Sequence, residues 1–322
     1  MLTRRSASPA ATSPRSAARF LAAVVVALTM TSLLTGPPAA AAPAAGDPGM
    51  DVPNLPVACG GNQYLMPQNR GVCPLKKFDK DWPTVLIWGD SHGWMFTPAL
   101  RKLTLKRNVN LVAFARGGCP PMEAEDPTKV SHLSCVVSNN DALAYVTKLS
   151  KRKPRVQVIL SANWVTYRDA WTRADQGQPQ PPDQEPYVAK MAALAKDGIP
   201  RLMATLGAMK NVRTNVVSSV LRVPAVTAPC PDGEDPYSCD IPRSQAIPNE
   251  VDTRNWLVAT MEPLKSSARL IDVNDDFCDG LLLWQNCHGM VDGVHTFFDD
   301  LHLSATASRK LAPYFAGSIP AS

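Results

Sequence analysis

The stretch TVLIWGDSHG, residues 84–93, decides how the rest of the chain is interpreted. Its first five residues carry no charge and run straight into a glycine, which is typical of a strand buried on both faces of a parallel sheet. The following Gly-Asp-Ser-His-Gly predicts a tight turn, because glycine permits backbone conformations that other residues avoid. The turn presents Ser91 directly after the strand. The alternative is that Ser91 only caps the next helix.

A second segment, DDLHLS at residues 299–304, supplies the groups that a serine nucleophile needs. A serine hydroxyl is a weak nucleophile until a base takes its proton. His302 is the candidate base, and Asp299, three residues before it, is the candidate acid that orients the ring. Asp300 is the competitor for this role, and both acids would also favour a following helix N-terminus through their charge. Together with Ser91, this segment predicts acyl-group chemistry.

Strand and helix patterns alternate between these two segments. The predicted strands cover residues 85–88, 109–114, 157–160, 212–220 and 269–273. The predicted helices cover residues 94–106, 187–210, 251–267 and 305–315, the last one capped by Ser304. Such alternation implies a parallel sheet that is covered on both faces. The predicted fold class is therefore α/β, a three-layer α/β/α flavodoxin-like sandwich with a central parallel sheet of about five strands.

Candidate site residues follow three of these strands. Ser91 follows the first strand, Gly117 and Gly118 follow the second, and Asn163 follows the third. Open α/β sheets bind their ligands at the carboxyl ends of the strands. These residues are therefore expected to share one site.

Two long stretches interrupt the pattern and are predicted to be loops. Residues 168–185 are rich in Gln, Pro and Asp, and they form either a substrate-shaping lid or a solvated insertion without a role. Residues 223–249 contain two cysteines and six prolines.

Four patches of the chain resemble the SGNH, or GDSL-type, hydrolase superfamily, and most closely the SGNH domains associated with bacterial membrane acyltransferase-3 proteins. The patches are GDSH at 89–92, GGCPP at 117–121, SANW at 161–164 and DDLHLS at 299–304, in family order. The resemblance covers residues 84–315. One patch departs from the superfamily, because the usual Gly-x-Asn-Asp is Ser-Ala-Asn-Trp here. A tryptophan at this place is typical of the acyltransferase-linked subgroup.

The resemblance implies a role for each site residue. Ser91, His302 and Asp299 would form a catalytic triad that needs no cofactor. The oxyanion hole would consist of the backbone N–H groups of Ser91 and Gly118 and the side-chain amide of Asn163. The alternative for Asn163 is a turn residue at the end of a strand.

Three further residues are candidates for support of the site. Asp90 is expected to brace the turn through hydrogen bonds to backbone groups. His92, which is typical of the acyltransferase-linked subgroup, would orient the loop or the substrate, and a purely structural histidine is the alternative. Trp164 follows Asn163 in the same patch.

Metal binding is the less favoured interpretation of the remaining ligand-type residues. His288, Asp292 and His295 are close in sequence, but three candidates in one irregular stretch are thin support for a metal. The cysteines contain no Cys-x-x-Cys pair, which argues against zinc. We therefore expect no metal.

The eight cysteines all follow residue 42, and their even number predicts disulfides in an exported protein. The sequence does not fix their connectivity. Pairing of neighbours along the chain gives the bridges Cys59–Cys73, Cys119–Cys135, Cys230–Cys239 and Cys278–Cys287.

The N-terminal region predicts export. Residues 1–42 contain four arginines, an apolar run at 20–34 and a series of alanines, which is typical of a signal peptide, with an uncleaved membrane anchor as the alternative. Residues 43–57 are rich in Pro and Ala and are predicted to be a flexible linker. Residues 58–322 are the predicted SGNH hydrolase-like domain.

The net charge of +5 does not indicate nucleic-acid binding. Four arginines and no acidic residue lie in residues 1–42, so the remaining chain is nearly neutral. The sequence has no basic cluster with interleaved aromatic residues, and nucleic acid is therefore excluded as an expected partner.

These observations predict a secreted or envelope-located serine esterase. The resemblance implies that it acts on O-acyl, acetyl-like esters of envelope carbohydrate or glycolipid. The first alternative is an O-acyltransferase that moves the acyl group to an envelope glycan with the help of a membrane acyltransferase partner. The second alternative is an inactive, glycan-binding SGNH domain, and a structural envelope protein is the third.

Overall fold

The computed structural model describes residues 48–56, 59, 71–125, 134–180, 186–224, 230, 233, 235, 237–264 and 268–320. All of these residues belong to the unit Ala45–Ser322. The predicted signal peptide, residues 1–42, and the first five residues of the predicted linker lie outside the described residues. Among the described helices, none combines the length and the apolarity that crossing a membrane requires.

A mostly parallel sheet forms the centre of the fold. The strands are β1 (Cys73–Pro74), β2 (Thr84–Gly89), β3 (Asn110–Ala115), β4 (Val156–Ser161), β5 (Val212–Val217), β6 (Asp240–Pro242), β7 (Leu270–Ile271), β8 (Asn286–His288), β9 (Met290–Val291) and β10 (Val294–His295). The helices are α1 (Ser91–Trp94), α2 (Thr97–Thr104), α3 (Ser134–Ser150), α4 (Trp164–Asp175), α5 (Pro186–Ala208), α6 (Arg243–Ala246), α7 (Glu250–Thr260) and α8 (Ala305–Lys310).

Six strands form the central sheet in the order β1-β3-β2-β4-β5-β7. Five of them are parallel, and the edge strand β1 pairs antiparallel with β3. Every residue of β2, β3 and β4 is buried, because helices cover both faces of the sheet. The predicted α/β class and central parallel sheet are confirmed. The strand β1 was not predicted, because two residues are too few to show a period.

Alternate residues of β2 face two different cores, as the pleat of a strand requires. Val85 and Ile87 belong to a core that contains apolar residues of α1, α2 and α8. Leu86 and Trp88 belong to a second core that contains residues of α3, α4, α5 and α7. The fold therefore has the three layers that were predicted.

Two of the longer helices, α3 with 17 residues and α4 with 12, were missed. No helix was predicted for α3, and the prediction of a loop over residues 168–185 is wrong for the part that belongs to α4. Trp164, Tyr167 and Trp171 are buried and follow one another at helical spacing, so a signal for α4 was present. Charged and polar residues between them obscured it. Residues 181–185 lie outside the described part of the chain.

Proline positions explain two changes in helix bounds. The predicted helix 94–106 is divided into α1 and α2, and Pro98 lies in the first turn of α2, where its missing N–H costs nothing. The predicted helix 305–315 is α8 followed by a 3-10 helix at Ala312–Ser318, which contains Pro313. Ser304 caps α8 as predicted, since its hydroxyl accepts a hydrogen bond from Ala307 N–H at 3.0 Å.

The predicted loop over residues 223–249 contains the short elements β6 and α6. Strand β6 pairs antiparallel with β8, which holds the segment to the region after β7. The pairing partners are far apart in sequence, so the local pattern did not reveal this strand. Residues 225–229 and several others in this stretch are not described.

Four disulfides have the predicted pairing, namely Cys59–Cys73, Cys119–Cys135, Cys230–Cys239 and Cys278–Cys287. Cys119–Cys135 fixes the loop after β3 to the first turn of α3. Cys278–Cys287 closes a loop between β7 and β8. The bridges therefore pin irregular segments rather than the strands at the centre of the sheet.

Residues 48–56, which fall within the predicted linker, pack on the domain. Asp51 accepts hydrogen bonds from Ala305 N–H and Thr306 N–H at the start of α8. Trp94 donates its indole N–H to the Pro53 carbonyl at 2.8 Å. The flexible linker stays a prediction, and these contacts show where part of it lies against the domain.

Candidate active site

The turn after β2 depends on the close approach of β4. Gly89 ends β2, and a Cβ atom at this position would collide with the Ser161 carbonyl oxygen, so the site accepts only glycine. Asp90 caps α1, because its Oδ1 accepts a hydrogen bond from His92 N–H at 2.7 Å. Ser91 is the first residue of α1, and it is 7% exposed. The turn is therefore rigid and presents Ser91 at the carboxyl edge of the sheet.

The Asp90 carboxylate joins the Ser91 turn to the Asn163 turn. Its Oδ2 accepts one hydrogen bond from Asn163 N–H and one from the Tyr167 hydroxyl, each at 3.0 Å. Burial raises the pKa of Asp90, and the hydrogen bonds from Asn163, His92 and Tyr167 oppose that rise. Burial and the neighbouring Asp90 raise the pKa of Tyr167, so its hydroxyl stays a donor. The carboxylate is a brace for two turns, beyond the single turn that was predicted.

His302 and Asp299 form a hydrogen-bonded pair. Nδ1 of His302 lies 2.7 Å from Oδ2 of Asp299 and donates to it, since a carboxylate can only accept. The other oxygen of Asp299 accepts hydrogen bonds from the backbone N–H groups of Leu301 and His302. Burial alone would raise the pKa of Asp299, but the hydrogen bonds from His302 and the backbone hold it below its ordinary value. Asp299, and not the adjacent Asp300, is the partner of the imidazole.

The imidazole of His302 lies against the helix that begins with Ser91. Its ring centroid is 5.5 Å from that of His92 and 6.1 Å from that of Trp94, both in α1. The ring of Phe298 stacks on His302 with a centroid distance of 5.6 Å. Nε2 of His302 is buried and has no hydrogen-bond partner among the described residues, Ser91 included. One ring nitrogen is therefore committed to Asp299, and the other is free to exchange a proton.

His92 is a neutral side chain of the site. Burial, together with the charge of His302, lowers the pKa of His92 to about 3. Both of its ring nitrogens are buried without a hydrogen-bond partner in the described residues. Its carbonyl accepts a hydrogen bond from the Ser161 hydroxyl at 3.1 Å, which joins α1 to β4. His92 therefore adds an uncharged ring next to His302, with polar atoms left for a substrate or a water molecule.

The candidate oxyanion donors lie on the loops that follow β2, β3 and β4. Gly118 has φ of +65°, which favours glycine, and the ring of Tyr187 lies next to it. Asn163 caps α4, since its Oδ1 accepts a hydrogen bond from Thr166 N–H at 3.4 Å. The capping bond uses the amide oxygen and leaves the amide N–H₂ of Asn163 for another partner.

Trp164 is an internal anchor. It is fully buried, and its indole N–H donates to the Val217 carbonyl at the end of β5 at 2.7 Å. Its ring centroid is 6.2 Å from that of Trp256 in α7. The side chain supports the loop that carries Asn163, because it fixes the start of α4 to the sheet.

The residues considered as metal ligands have other partners. His288 lies between two carboxylates, with Nδ1 2.9 Å from Asp240 and Nε2 2.8 Å from Asp279. His295 contacts the Tyr237 carbonyl through Nδ1 at 3.4 Å. Within the described ranges, no three ligand-type side chains are arranged to hold a metal ion.

Two parts of the site were missed at the level of sequence. Tyr167 was assigned no role, although its burial at helical spacing from Trp164 was a usable signal. Phe298, which directly precedes Asp299, stacks on His302. Its position next to the DDLHLS segment was the only sequence indication.

Comparison with known proteins gives one clear result. The family model described as SGNH domain, fused to AT3 domains, matches residues 58–317. No curated protein matches the chain significantly. A solved structure that resembles it is the periplasmic domain of the lipopolysaccharide acetyltransferase of Salmonella ser. Paratyphi A. The match has 14% identity and a TM-score of 0.47, and it covers 74% of this chain and 83% of that one.

The family match agrees with the four sequence patches that resemble SGNH hydrolases and with the mostly parallel central sheet. A structural likeness at 14% identity does not establish a shared activity. The family match covers most of the chain, and it supports an enzyme of the esterase or acyltransferase type. The chain belongs to the family of SGNH domains that are fused to AT3 domains.

Proposed function

We propose that this protein is an exported serine enzyme that cleaves small O-acyl esters, acetyl-like in size, on envelope carbohydrate or glycolipid. The observation that carries the proposal is the His302–Asp299 pair beside α1. One imidazole nitrogen is bound to a carboxylate, and the other has no partner among the described residues. This arrangement supports His302 as the general base for Ser91.

The first half-reaction uses the three residues in turn. Nε2 of His302 takes the proton of the Ser91 hydroxyl while Oγ attacks the ester carbonyl carbon. The negative charge that develops on the carbonyl oxygen is stabilised by the N–H groups of Ser91 and Gly118 and by the Asn163 amide. The intermediate then collapses, the bond to the sugar oxygen breaks, and His302 returns the proton to that oxygen. An acyl-enzyme on Ser91 remains.

The second half-reaction decides between hydrolysis and transfer. Water activated by His302 gives the free acid, whereas a carbohydrate hydroxyl in the same position gives a new ester. The association of the family with AT3 domains supports transfer with a membrane acyltransferase as donor. We propose hydrolysis as the activity to test first and transfer as the alternative.

Extracytoplasmic location is supported by the four disulfides, which persist in oxidising compartments. In the proposal, residues 1–42 direct export and residues 58–322 form the enzyme. An inactive glycan-binding domain is the alternative that the activity test must exclude.

The test is hydrolysis of p-nitrophenyl acetate by the secreted protein, compared with Ser91→Ala and His302→Ala. Each variant is expected to lose activity by about a thousandfold or more. His295→Ala is the matched control, because His295 contacts a backbone carbonyl and not the Asp299 carboxylate. Unchanged activity in Ser91→Ala would refute the assignment of Ser91 as the nucleophile. If the wild type is inactive, detection of an acyl-enzyme by mass spectrometry after incubation with an acetylated glycan would distinguish a transferase from a binding domain.

A further inference from the structure

A run of four exposed apolar side chains projects from the loop that Cys278–Cys287 closes. Leu281, Leu282, Leu283 and Trp284 are 71%, 48%, 47% and 73% exposed. Elsewhere in the described part of the chain, large exposed apolar side chains occur singly along the sequence. Single exposed apolar residues are ordinary, but a contiguous group marks an interaction surface. We call this group, residues 281–284, the apolar loop.

Three backbone groups of the apolar loop have hydrogen-bond partners within the protein, and so does the Gly280 carbonyl before it. The Leu283 carbonyl accepts from Ser244 N–H at 3.0 Å, and the Leu282 carbonyl accepts from Gln285 N–H at 2.9 Å. The side-chain oxygen of Gln285 accepts from Leu282 N–H at 2.8 Å. The Gly280 carbonyl accepts from the buried Arg243 guanidinium at 2.8 Å. These groups need no hydrogen bonds from water.

The charges around the loop are paired. Residues 280–286 contain no charged side chain. Asp279, at the base of the loop, contacts His288 at 2.8 Å, and Asp275 contacts Arg243 at 3.2 Å. The loop therefore presents an uncharged tip, and each of the two acids nearest its base contacts a basic side chain.

The size of the apolar loop indicates which partner it fits. A stable protein interface involves roughly 20–30 residues on each side, and the apolar loop has four side chains. A lipid surface accepts a small apolar loop, because leucine side chains enter the acyl region and tryptophan favours the level of the headgroups. Backbone groups that enter this layer need internal partners, and the Leu282 N–H and the Leu282 and Leu283 carbonyls have them.

We propose that the apolar loop inserts into the interfacial region of a lipid bilayer and holds the enzyme at the membrane surface. The loop lies on the same segment between β7 and α8 as His302. Hydrogen bonds from His288 N–H to the Phe277 carbonyl and from Thr296 N–H to the Gly289 carbonyl connect the base of the loop to the segment that carries His302. The attachment would bring the site close to esters on membrane-bound glycolipids, and it does not depend on the triad.

The experiment is flotation of the full chain, as secretion delivers it, with vesicles of phosphatidylcholine alone and of phosphatidylcholine with phosphatidylglycerol. Mass spectrometry first establishes the N-terminus, so that every variant is compared in the same form. The wild type is expected to bind both kinds of vesicle, and high salt should not release it, because the loop carries no charge. The double variant Leu281→Ser/Trp284→Ser should bind about tenfold or more weakly.

The matched control is Leu105→Ser/Val258→Ser, which removes two side chains that are 74% and 56% exposed elsewhere on the surface. It should bind vesicles like the wild type. Both double variants should keep wild-type hydrolysis of a soluble ester, which shows that they are folded. Quenching of tryptophan fluorescence by brominated phosphatidylcholine should disappear in Trp284→Phe while binding remains.

Three results would overturn the proposal. The first is a wild type that binds neither kind of vesicle. The second is a loop variant that binds as well as the control variant does. The third is a dimer in light scattering that depends on Leu281 and Trp284, which would identify a second copy of the chain as the occupant of the loop.

Discussion

The Tyr167 hydroxyl donates a hydrogen bond to the same Asp90 oxygen that accepts the backbone N–H of Asn163. The side chains of Tyr167 and Asp90 are both buried. This contact joins the start of α4 to the cap of α1, and therefore joins a candidate oxyanion donor to the candidate nucleophile. The two residues are 77 positions apart in the chain.

Replacement of Tyr167 by Phe removes one of the hydrogen bonds that oppose the rise in the pKa of Asp90. We expect the variant to lose about 1–2 kcal/mol of stability, because a buried carboxylate loses a donor. We also expect kcat for ester hydrolysis to fall about tenfold with KM nearly unchanged, because the Asn163 turn loosens. Urea unfolding and steady-state kinetics measure the two effects.

Tyr145→Phe is the matched control for this prediction, since Tyr145 packs against Phe114 away from the Asp90 carboxylate. If both variants lose stability but neither loses kcat, Tyr167 has a structural role only. The pH dependence of kcat provides a second measure, because the higher pKa of Asp90 should shift the acid limb in Tyr167→Phe alone.

Asp299 and Asp300 offer a matched pair of substitutions. Asp299→Asn removes the carboxylate that orients His302, and kcat/KM is expected to fall by about 10²–10⁴. Asp300→Asn should stay within about twofold of the wild type, because the bond to the imidazole is made by its neighbour. Equal losses in the two variants would contradict the assignment of the acid.

The lowered pKa of Asp299 also has a consequence for stability in acid. Because this pKa lies below the ordinary value of 3.8, the unfolded chain binds more protons than the folded one near that pH. The stabilisation is therefore present at neutral pH and lost as the pH falls through the folded-state pKa. The stability difference between wild type and Asp299→Asn should shrink from about pH 7 to about pH 3, as measured by urea unfolding.

The Cys119–Cys135 bridge holds the loop that contains Gly118. Its loss in Cys119→Ser/Cys135→Ser should cost up to about 3 kcal/mol, as expected for a loop of this length, and should also lower esterase activity. Cys230→Ser/Cys239→Ser is the control, because that bridge lies outside the loops that carry the candidate oxyanion donors. The melting temperature and the rate of ester hydrolysis are measured for both double variants. Equal activity in the two would show that the Cys119–Cys135 bridge does not support the oxyanion loop.

His288 is expected to make stability depend on pH. Burial lowers the pKa of His288, but the hydrogen bonds to Asp240 and Asp279 outweigh it and raise the pKa above the ordinary value of 6.5. A raised histidine pKa stabilises the fold fully below the unfolded pKa, and this contribution disappears as the pH rises through the folded pKa. His288→Gln should therefore lower Tm more at about pH 6 than at about pH 9.

His295→Gln serves as the comparison for this prediction, because its ring faces a carbonyl oxygen and not a carboxylate pair. The same loss of Tm at both pH values in His288→Gln would show that the contact contributes by packing alone.

The strands at the centre of the sheet were predictable from short buried runs such as residues 84–89, because continuous apolar character is a local property. The position of Ser91 follows from the end of that run. Helix α4 was not predicted, since charged residues interrupt its three buried aromatic side chains. Strand β6 was not predicted either, since its pairing with β8 is set by the tertiary structure.

The roles of site residues were predictable only for residues that belong to a sequence motif. The spacing of Asp299 and His302 indicated their hydrogen bond, because a turn brings side chains three positions apart close to each other. The contact between Tyr167 and Asp90 follows no sequence rule, since it depends on how β2 and β4 lie next to each other. The stacking of Phe298 on His302 likewise requires the folded segment.

Each of the four bridges joins a cysteine to the next one along the chain, over separations of 9 to 16 residues. Eight cysteines allow about 105 complete pairings. If the chain is exported as proposed, an oxidase that acts on cysteines two at a time, in the order in which they emerge, would produce the native set directly. Under the proposed export, sequential pairing would form these bridges without an isomerase to correct them.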